Sequence, residues 1–253
     1  MIDMNTVTDE QADYMNTPME AVEEVEMLKN KLKPYFPNEL EDYLETDFCE
    51  RVARRMVWDI PKGFAKLPAK FRAVAFHHAV LTDDIDVVEY FIRAAKKAKM
   101  DVDTDFCDPE YETTPMMRAC CSACKKAFIV LVETGGASLS GKDKFGRSLS
   151  FCCLCSGNLP FMMWAQKRGI EFDVNNKIDA LIPNAGEDGW FCALKWLIEK
   201  LGGDVNAIDK KGHTALYYAN LSEADKSVRW LIEKGADASV LSEDDLHRAF
   251  AKK

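Results

Sequence analysis

The residues most able to do chemistry in this chain are its thiols. The stretch "ACCSAC", residues 119–124, holds three cysteines in six positions, and "CCLC", Cys152 to Cys155, holds three more. Cys121 and Cys124 have the C-x-x-C spacing used in redox and zinc sites, but zinc needs four converging ligands, and no His or Cys pair stands nearby at matching spacing except in the second cluster. A second stretch, "GKDKFGRS" at 141–148, imitates a phosphate-binding loop, yet Arg147 stands where that loop requires Lys, so it is expected to be a turn. The four histidines, at 77, 78, 213 and 247, lack a Cys or Asp partner at nucleophile spacing. G-x-S-x-G, H-E-x-x-H and the H-x-E with C-x-x-C arrangement are all absent. The expectation is a protein that is not an enzyme, with no cofactor and no metal.

The bulk properties point the same way. At 253 residues the chain is long enough for one large or two small domains with a sizeable core. Nine cysteines in uneven clusters are too few and too bunched for a disulfide scaffold, so reduced thiols are expected. The opening residues, "MIDMNTVTDEQADYM", carry neither a basic nor an apolar targeting segment, and no run of eighteen apolar residues follows. The expected setting is cytoplasmic, or another reducing intracellular compartment, without membrane insertion. A net charge of -9 spread along the chain disfavours a phosphate backbone as partner, so no nucleic acid is expected.

The elements that must position these residues follow from the pattern. Residues 1–16 are polar and acidic, the composition of a loose arm. Thr17-Pro18-Met19-Glu20 is a capping box, and Val22, Val25, Leu28 and Leu32 keep helical spacing after it. A second apolar stripe runs from Leu40 to Met56, before Pro61, Gly63 and Pro68 break the chain. A helical N-terminal region with its connector is therefore placed at 17–69, either as a cap or as a docking module. From residue 70 the sequence repeats itself. Stacking "VRWLIEKGADAS", "LKWLIEKLGGDVN", "FMMWAQKRGIEFD" and "FIVLVETGGASLS" aligns Trp230, Trp196, Trp164 and Val130 at intervals of 34, 32 and 34 residues. "DKKGHTALYYA" and "DKFGRSLSFCC" keep the same phase, as does "TTPMMRAC" with its Thr-Pro.

On these residues the chain resembles the ankyrin repeat family, whose pattern runs D-x-x-G-x-T-P-L-H-x-A-A, a second apolar helix, then G-A-D. The resemblance implies an all-α solenoid of about five helix-turn-helix units, near 70–103, 108–140, 143–173, 175–206 and 209–240, with "SEDDLHRAF" at 242–250 supplying a C-terminal capping helix in 241–253. Thr214 and Thr114 would cap first helices, Gly235, Gly169 and Gly135 would end second helices, and Gly235 and Gly135 would close theirs in the left-handed conformation. In the fourth unit Asn175 stands for the repeat's Asp, and Pro183 falls inside the expected first helix, which is expected to start late. In the first unit the second helix is expected to overrun. His77 matches the His that in this family bonds the backbone to steady a turn.

The resemblance also implies protein binding, as an adaptor or scaffold, on the concave face and hairpin tips. Carried over position by position, the partner-binding residues are Glu110, Tyr111, Thr113 and Cys121, then Lys144, Phe145, Arg147 and Cys155. Asn176, Lys177, Asp179, Glu187 and Asp188 follow in the fourth unit, and Lys210, Lys211, His213, Leu221 and Ser222 in the fifth. In this register Cys120 and Cys153 fill small-residue slots, while Cys121 and Cys155 occupy one groove-facing position in adjacent repeats, with helix axes about 8–10 Å apart. Two alternatives stand beside this reading: a fixed subunit of a larger assembly anchored through 17–60, and a thiol sensor or metal binder.

Overall fold

The computed structural model of the chain describes residues 69–108, 110–186 and 190–251. The arm at 1–16, nearly all of the 17–69 region, and Glu187 and Asp188 lie outside the described residues. The described chain is a row of antiparallel helix pairs: α1 (Ala69–Leu81) with α2 (Ile85–Lys97), α3 (Pro115–Cys121) with α4 (Lys125–Val130), and α5 (Leu149–Cys155) with α6 (Leu159–Lys167). Then follow α7 (Leu181–Ala185) with α8 (Phe191–Glu199), α9 (Ala215–Leu221) with α10 (Asp225–Glu233), and α11 (Glu243–Phe250), which packs on α10. α1, α3, α5, α7 and α9 stack in order as an inner layer. Among the described residues there is no strand, only single bridges at Lys142–Ser148 and Ile208–Thr214 that pinch two hairpins.

Six of the described helices, α2, α3, α5, α6, α9 and α11, begin where a short polar side chain satisfies a free amide. Thr114 Oγ1 accepts from Met117 N at 3.3 Å, with Pro115 in the first turn, and Thr214 Oγ1 accepts from Tyr217 N at 3.2 Å. Ser148 does the same for Ser150 N at 3.2 Å, Asn158 for Phe161 N at 2.9 Å, and Ser242 forms a capping box with Asp245. The turn between paired helices is equally regular. Asp83, Ala123, Gly157 and Glu223, each two residues past an inner helix, have φ of 50°, 54°, 61° and 54°. Only one is glycine, so the other three hold a conformation that costs on the order of 1 kcal/mol apiece. Gly157 is distinct because a Cβ there would stand 3.2 Å from the indole nitrogen of Trp190, at the start of α8.

The core is continuous from Phe76 to Ala249. Aromatic contacts stitch successive repeats: Phe128 meets Trp164 at 5.1 Å, Phe172 meets Trp196 at 5.2 Å, and Phe191 meets Trp230 at 5.7 Å, all edge to face. The aligned tryptophans are thus the seam between neighbours.

Three expectations are corrected in detail. α7 starts in phase at Leu181 but stops after five residues, and Pro183 is accommodated because amides of a first helical turn need no intrahelical partner. Its N-cap, Ala180, is left-handed and offers no side chain, and Asn184 Nδ2 ties the entry by donating to the carbonyls of Asp179 and Ala180. The turn role assigned to Asn175 falls one residue on, where Asn176 Oδ1 accepts from Ile178 N at 2.9 Å. At the end of α4 a π turn, Leu131–Gly135, inserts a residue, so the left-handed position is Gly136 (φ 76°) rather than Gly135. α2 runs 13 residues, against nine in α6, α8 and α10.

Two stability experiments follow. Gly186 has ordinary helical geometry, where alanine usually stabilises by about 0.4–1 kcal/mol, but a Cβ would lie 2.4 Å from the Ala215 carbonyl oxygen and 2.8 Å from its Cα. Backbone cannot yield as a side-chain tip can, so Gly186→Ala should destabilise by roughly 1–3 kcal/mol in urea melts; a gain in stability would contradict this packing. His77 is buried, donates to the Phe106 carbonyl, and leaves Nε2 without a partner; burial, then the Arg118 cation, lowers its pKa to about 4. The folded value lies below the unfolded one of about 6.5, so the stability contributed by the neutral ring is complete above pH ~6.5 and is lost as pH falls toward 4. The expected loss is on the order of 3 kcal/mol, and the wild-type urea midpoint should drop more steeply over that window than that of His77→Gln. Parallel curves would show the ring entering the fold charged.

Candidate functional surface

The hairpins between units carry most of the expected binding residues, and an acid or amide at the base of each sets its shape. Asp108 Oδ1 accepts from Glu110 N at 2.8 Å and Tyr111 N at 3.0 Å, and Asp209 Oδ1 accepts from Lys211 N at 2.8 Å and His213 N at 2.9 Å. Asp143, buried at 6 % exposure, accepts from Phe145 N and Arg147 N, both at 2.9 Å, and from Arg147 Nε at 2.6 Å. Gly146, at φ 78°, completes this turn, so the phosphate-loop mimic is a hairpin as expected.

Arg147, clamped by Asp143, sits 4.8 Å from the Phe145 ring and 4.8 Å from the Phe151 ring. Lys144 donates to the Glu110 carbonyl at 2.6 Å, with its ammonium 4.2 Å from the Tyr111 ring and 5.1 Å from Phe145. Lys144 N also donates to the Tyr111 carbonyl at 3.1 Å, fastening one tip to the next, while the Thr113 carbonyl is taken by Asp108 N at 2.9 Å. The result is a ridge in which aromatic rings and cations alternate, Tyr111, Lys144, Phe145, Arg147, Phe151, across two hairpins. Tyr111 and Phe145 remain 44 % and 51 % exposed.

The fifth hairpin makes a second patch. His213 stacks on Tyr217 at 4.0 Å and 13°, Lys210 and Lys211 are exposed, and Leu221 is 68 % exposed further along α9, with Ser222 after it. Phe151 and Tyr217 were not among the expected residues; each lies one helical turn past an expected one, Arg147 and His213, which is the signal that finds them. Between hairpins four and five lies a cleft of about 330 Å³ lined by the expected Asn176 and Lys177 and by Pro183, Asp204, Asn206 and Ile208, which the expectation did not include.

Asp179 departs from its expected place. It is buried, and its carboxylate accepts from Ser148 N at 2.8 Å, Ser148 Oγ at 2.6 Å, Ser150 Oγ at 3.2 Å and Asn176 Nδ2 at 3.2 Å. It binds the third repeat to the fourth instead of facing a partner, because the shortened fourth unit turns this residue inward while leaving Lys177 exposed.

The thiols also resolve differently. α3 packs against α5, which brings the cysteines of the two clusters near one another, with Cys120, Cys152 and Cys153 buried. Cys121 is half-buried, and Cys155, its counterpart by repeat position, is exposed. All the described cysteines are reduced, and among the described residues no three His, Cys, Asp or Glu side chains converge as a metal would require. Burial pushes the Cys124 thiol up to about 11, and Cys120 is raised by the neighbouring Cys153 and by burial.

The helix pairs, left-handed turns and hairpins make this stack an ankyrin-repeat solenoid. Residues 149–242 match the sequence model of the family described as Ankyrin repeats (3 copies). The ankyrin repeat domain of Bcl-3, titled a unique member of the IkappaB protein family, superposes with a TM-score of 0.51 at 20% identity, covering 69% of this chain and 78% of that one. No curated protein matches the chain by sequence. Among the described residues no helix is long and apolar enough to cross a membrane.

Asp179 offers the prediction specific to this geometry. Asp179→Ala would strip a buried acceptor from two hydroxyls and two amides, costing roughly 1–3 kcal/mol for each group left unsatisfied and seen as a lower melting temperature. Lys177→Ala, two residues away and exposed, should change stability by no more than about 0.5 kcal/mol. Equal effects would place Asp179 at the surface.

Proposed function

We propose that the chain is a protein-binding module, an adaptor or scaffold that holds a partner on its hairpin tips and concave face without turning it over. Ankyrin repeats are in general protein–protein interaction modules. The observation that carries the reading here is the ridge of Tyr111, Lys144, Phe145, Arg147 and Phe151. Its aromatic and Arg side chains are the types that anchor interfaces, and bonds from Asp143 and the Glu110 carbonyl already hold its cations in place. A partner ordering this surface loses little of its binding energy to immobilising side chains. The overall charge of -9 supports a protein partner over a nucleic acid.

The test removes the two exposed rings and spares Arg147, whose loss would leave Asp143 buried without its cation. Tyr111→Ala combined with Phe145→Ala should lower the affinity for captured partners by at least about tenfold, as loss of interface anchors does, with an unchanged circular dichroism spectrum. Binding equal to wild type would overturn the choice of ridge. Loss on Tyr217→Ala instead would move the interface to the fifth hairpin.

A further inference from the structure

The hairpins repeat a charge as well as a shape. Asp143, Asn176 and Asp209 stand 33 residues apart, and each side chain accepts the amide two residues on, from Phe145, Ile178 and Lys211. The residue after each is lysine: Lys144, Lys177 and Lys210, all exposed, keep the same interval at three successive tips. The acids of these tips are engaged internally. Asp143 holds Arg147, Asp179 is buried on Ser148 and Ser150, and Asp209 accepts from Tyr218 Oη at 2.7 Å. Asp173 and Asp204, exposed ahead of the fourth and fifth tips, take the amides of Asn175 and Asn206 at 3.0 and 2.9 Å. Among the described residues Lys177 and Lys210 have no carboxylate within ion-pair distance, and Lys144 gives only one of its three N–H groups, to the Glu110 carbonyl. Each tip also exposes an apolar side chain within two residues of its lysine, namely Phe145, Ile178 and Ile208. The second hairpin is opposite in sign: residues 101–112 carry six carboxylates and no cation, with Glu110 and Glu112 exposed.

We infer that the third, fourth and fifth hairpins bind an extended acidic segment of another protein, in the polyproline II conformation, with a carboxylate at every third residue facing Lys144, Lys177 and Lys210. This rests on the tip-binding reading proposed above and names the kind of partner it implies. Spacing selects the conformation. Helices packed in a row have axes about 8–10 Å apart, so successive tips step by about that distance. A polyproline II chain turns once in three residues and rises about 3.1 Å for each, which returns every third side chain to one face about 9 Å further on. A β-strand alternates faces and would put residues i and i+3 on opposite sides. Sign selects the side chain. Each exposed ion pair contributes little alone, so binding depends on several falling in register along a rigid row. The carboxylates of the second hairpin repel such a segment and set where it ends. Together with the net charge of -9 they also disfavour a longer polyanion such as a nucleic acid.

The probe is a dye-labelled peptide of five Glu-Pro-Pro triplets, titrated with the full chain at low salt and read by fluorescence anisotropy. It should bind at least about fivefold more tightly than a peptide of Gln-Pro-Pro triplets, and than one whose five glutamates are set four residues apart and so fall out of phase. Lys177→Gln combined with Lys210→Gln should weaken it by at least about fivefold with an unchanged circular dichroism spectrum, and added salt should weaken it further. Equal binding of either control peptide, or unaltered affinity in the double variant, would overturn the proposal. An oligodeoxythymidylate binding more tightly than the acidic peptide would overturn the choice of a protein partner. Failure here is separable from failure of the ridge, which is tested by partner capture without any acidic peptide. Loss of the captured partner in Tyr111→Ala with Phe145→Ala, alongside no preference for the acidic peptide, would sink the present inference and leave the ridge standing.

Discussion

No ankyrin unit in this chain satisfies its own polar backbone; each borrows from its neighbour. Asp83, in the turn of the first pair, accepts from Ala127 N at 2.9 Å and so caps α4 of the second, a helix with no side-chain cap of its own. Asp103 accepts from Ser138 N at 2.7 Å, Asp179 holds the start of α5, and Asn206 both accepts from Asp237 N at 2.8 Å and donates to the Gly235 carbonyl. Each bond joins residues about one repeat apart, so it exists only when two units are already stacked. Apolar burial drives the same stacking without direction. The polar ligatures set the spacing at which it happens, and an isolated unit would expose both costs at once.

The binding surface inherits its order from that arrangement. Hairpin tips project from the stack and bury little, yet the second and third are held together by a Tyr111 carbonyl bond and by Lys144 reaching back to Glu110. Asp143 sits at the centre of its hairpin as a buried anion compensated by two amides and a guanidinium. Such a charge is tolerated only with its partners in place, which makes the Arg147 orientation a property of the fold rather than of a ligand.

Much of this was legible in the sequence because the repeat restates it. The interval between tryptophans located the outer helices, and Thr114, Ser148 and Thr214 marked the inner ones through a local rule, a hydroxyl two or three residues before a free amide. What escaped depended on neighbours. The inward turn of Asp179 arises from a unit whose inner helix lasts five residues, and no pattern within the unit states where its chain then goes. The extra residue at Leu131–Gly135 moves a glycine's role by one position, below what alignment by eye resolves.

Gly157 carries a further meaning. At three equivalent turns the chain tolerates Asp, Ala and Glu in the left-handed conformation, and among the described turns Gly157 is the one where a neighbour's indole occupies the space a side chain would need. The fourth unit, the one that departs most from the family pattern, thus reaches back and restricts the residue choice of the third. Repeats of this kind are interchangeable in outline but not in detail: a unit exchanged, duplicated or deleted at this point would have to bring its neighbour's glycine with it, so the hereditary module is the junction between repeats and not the repeat itself.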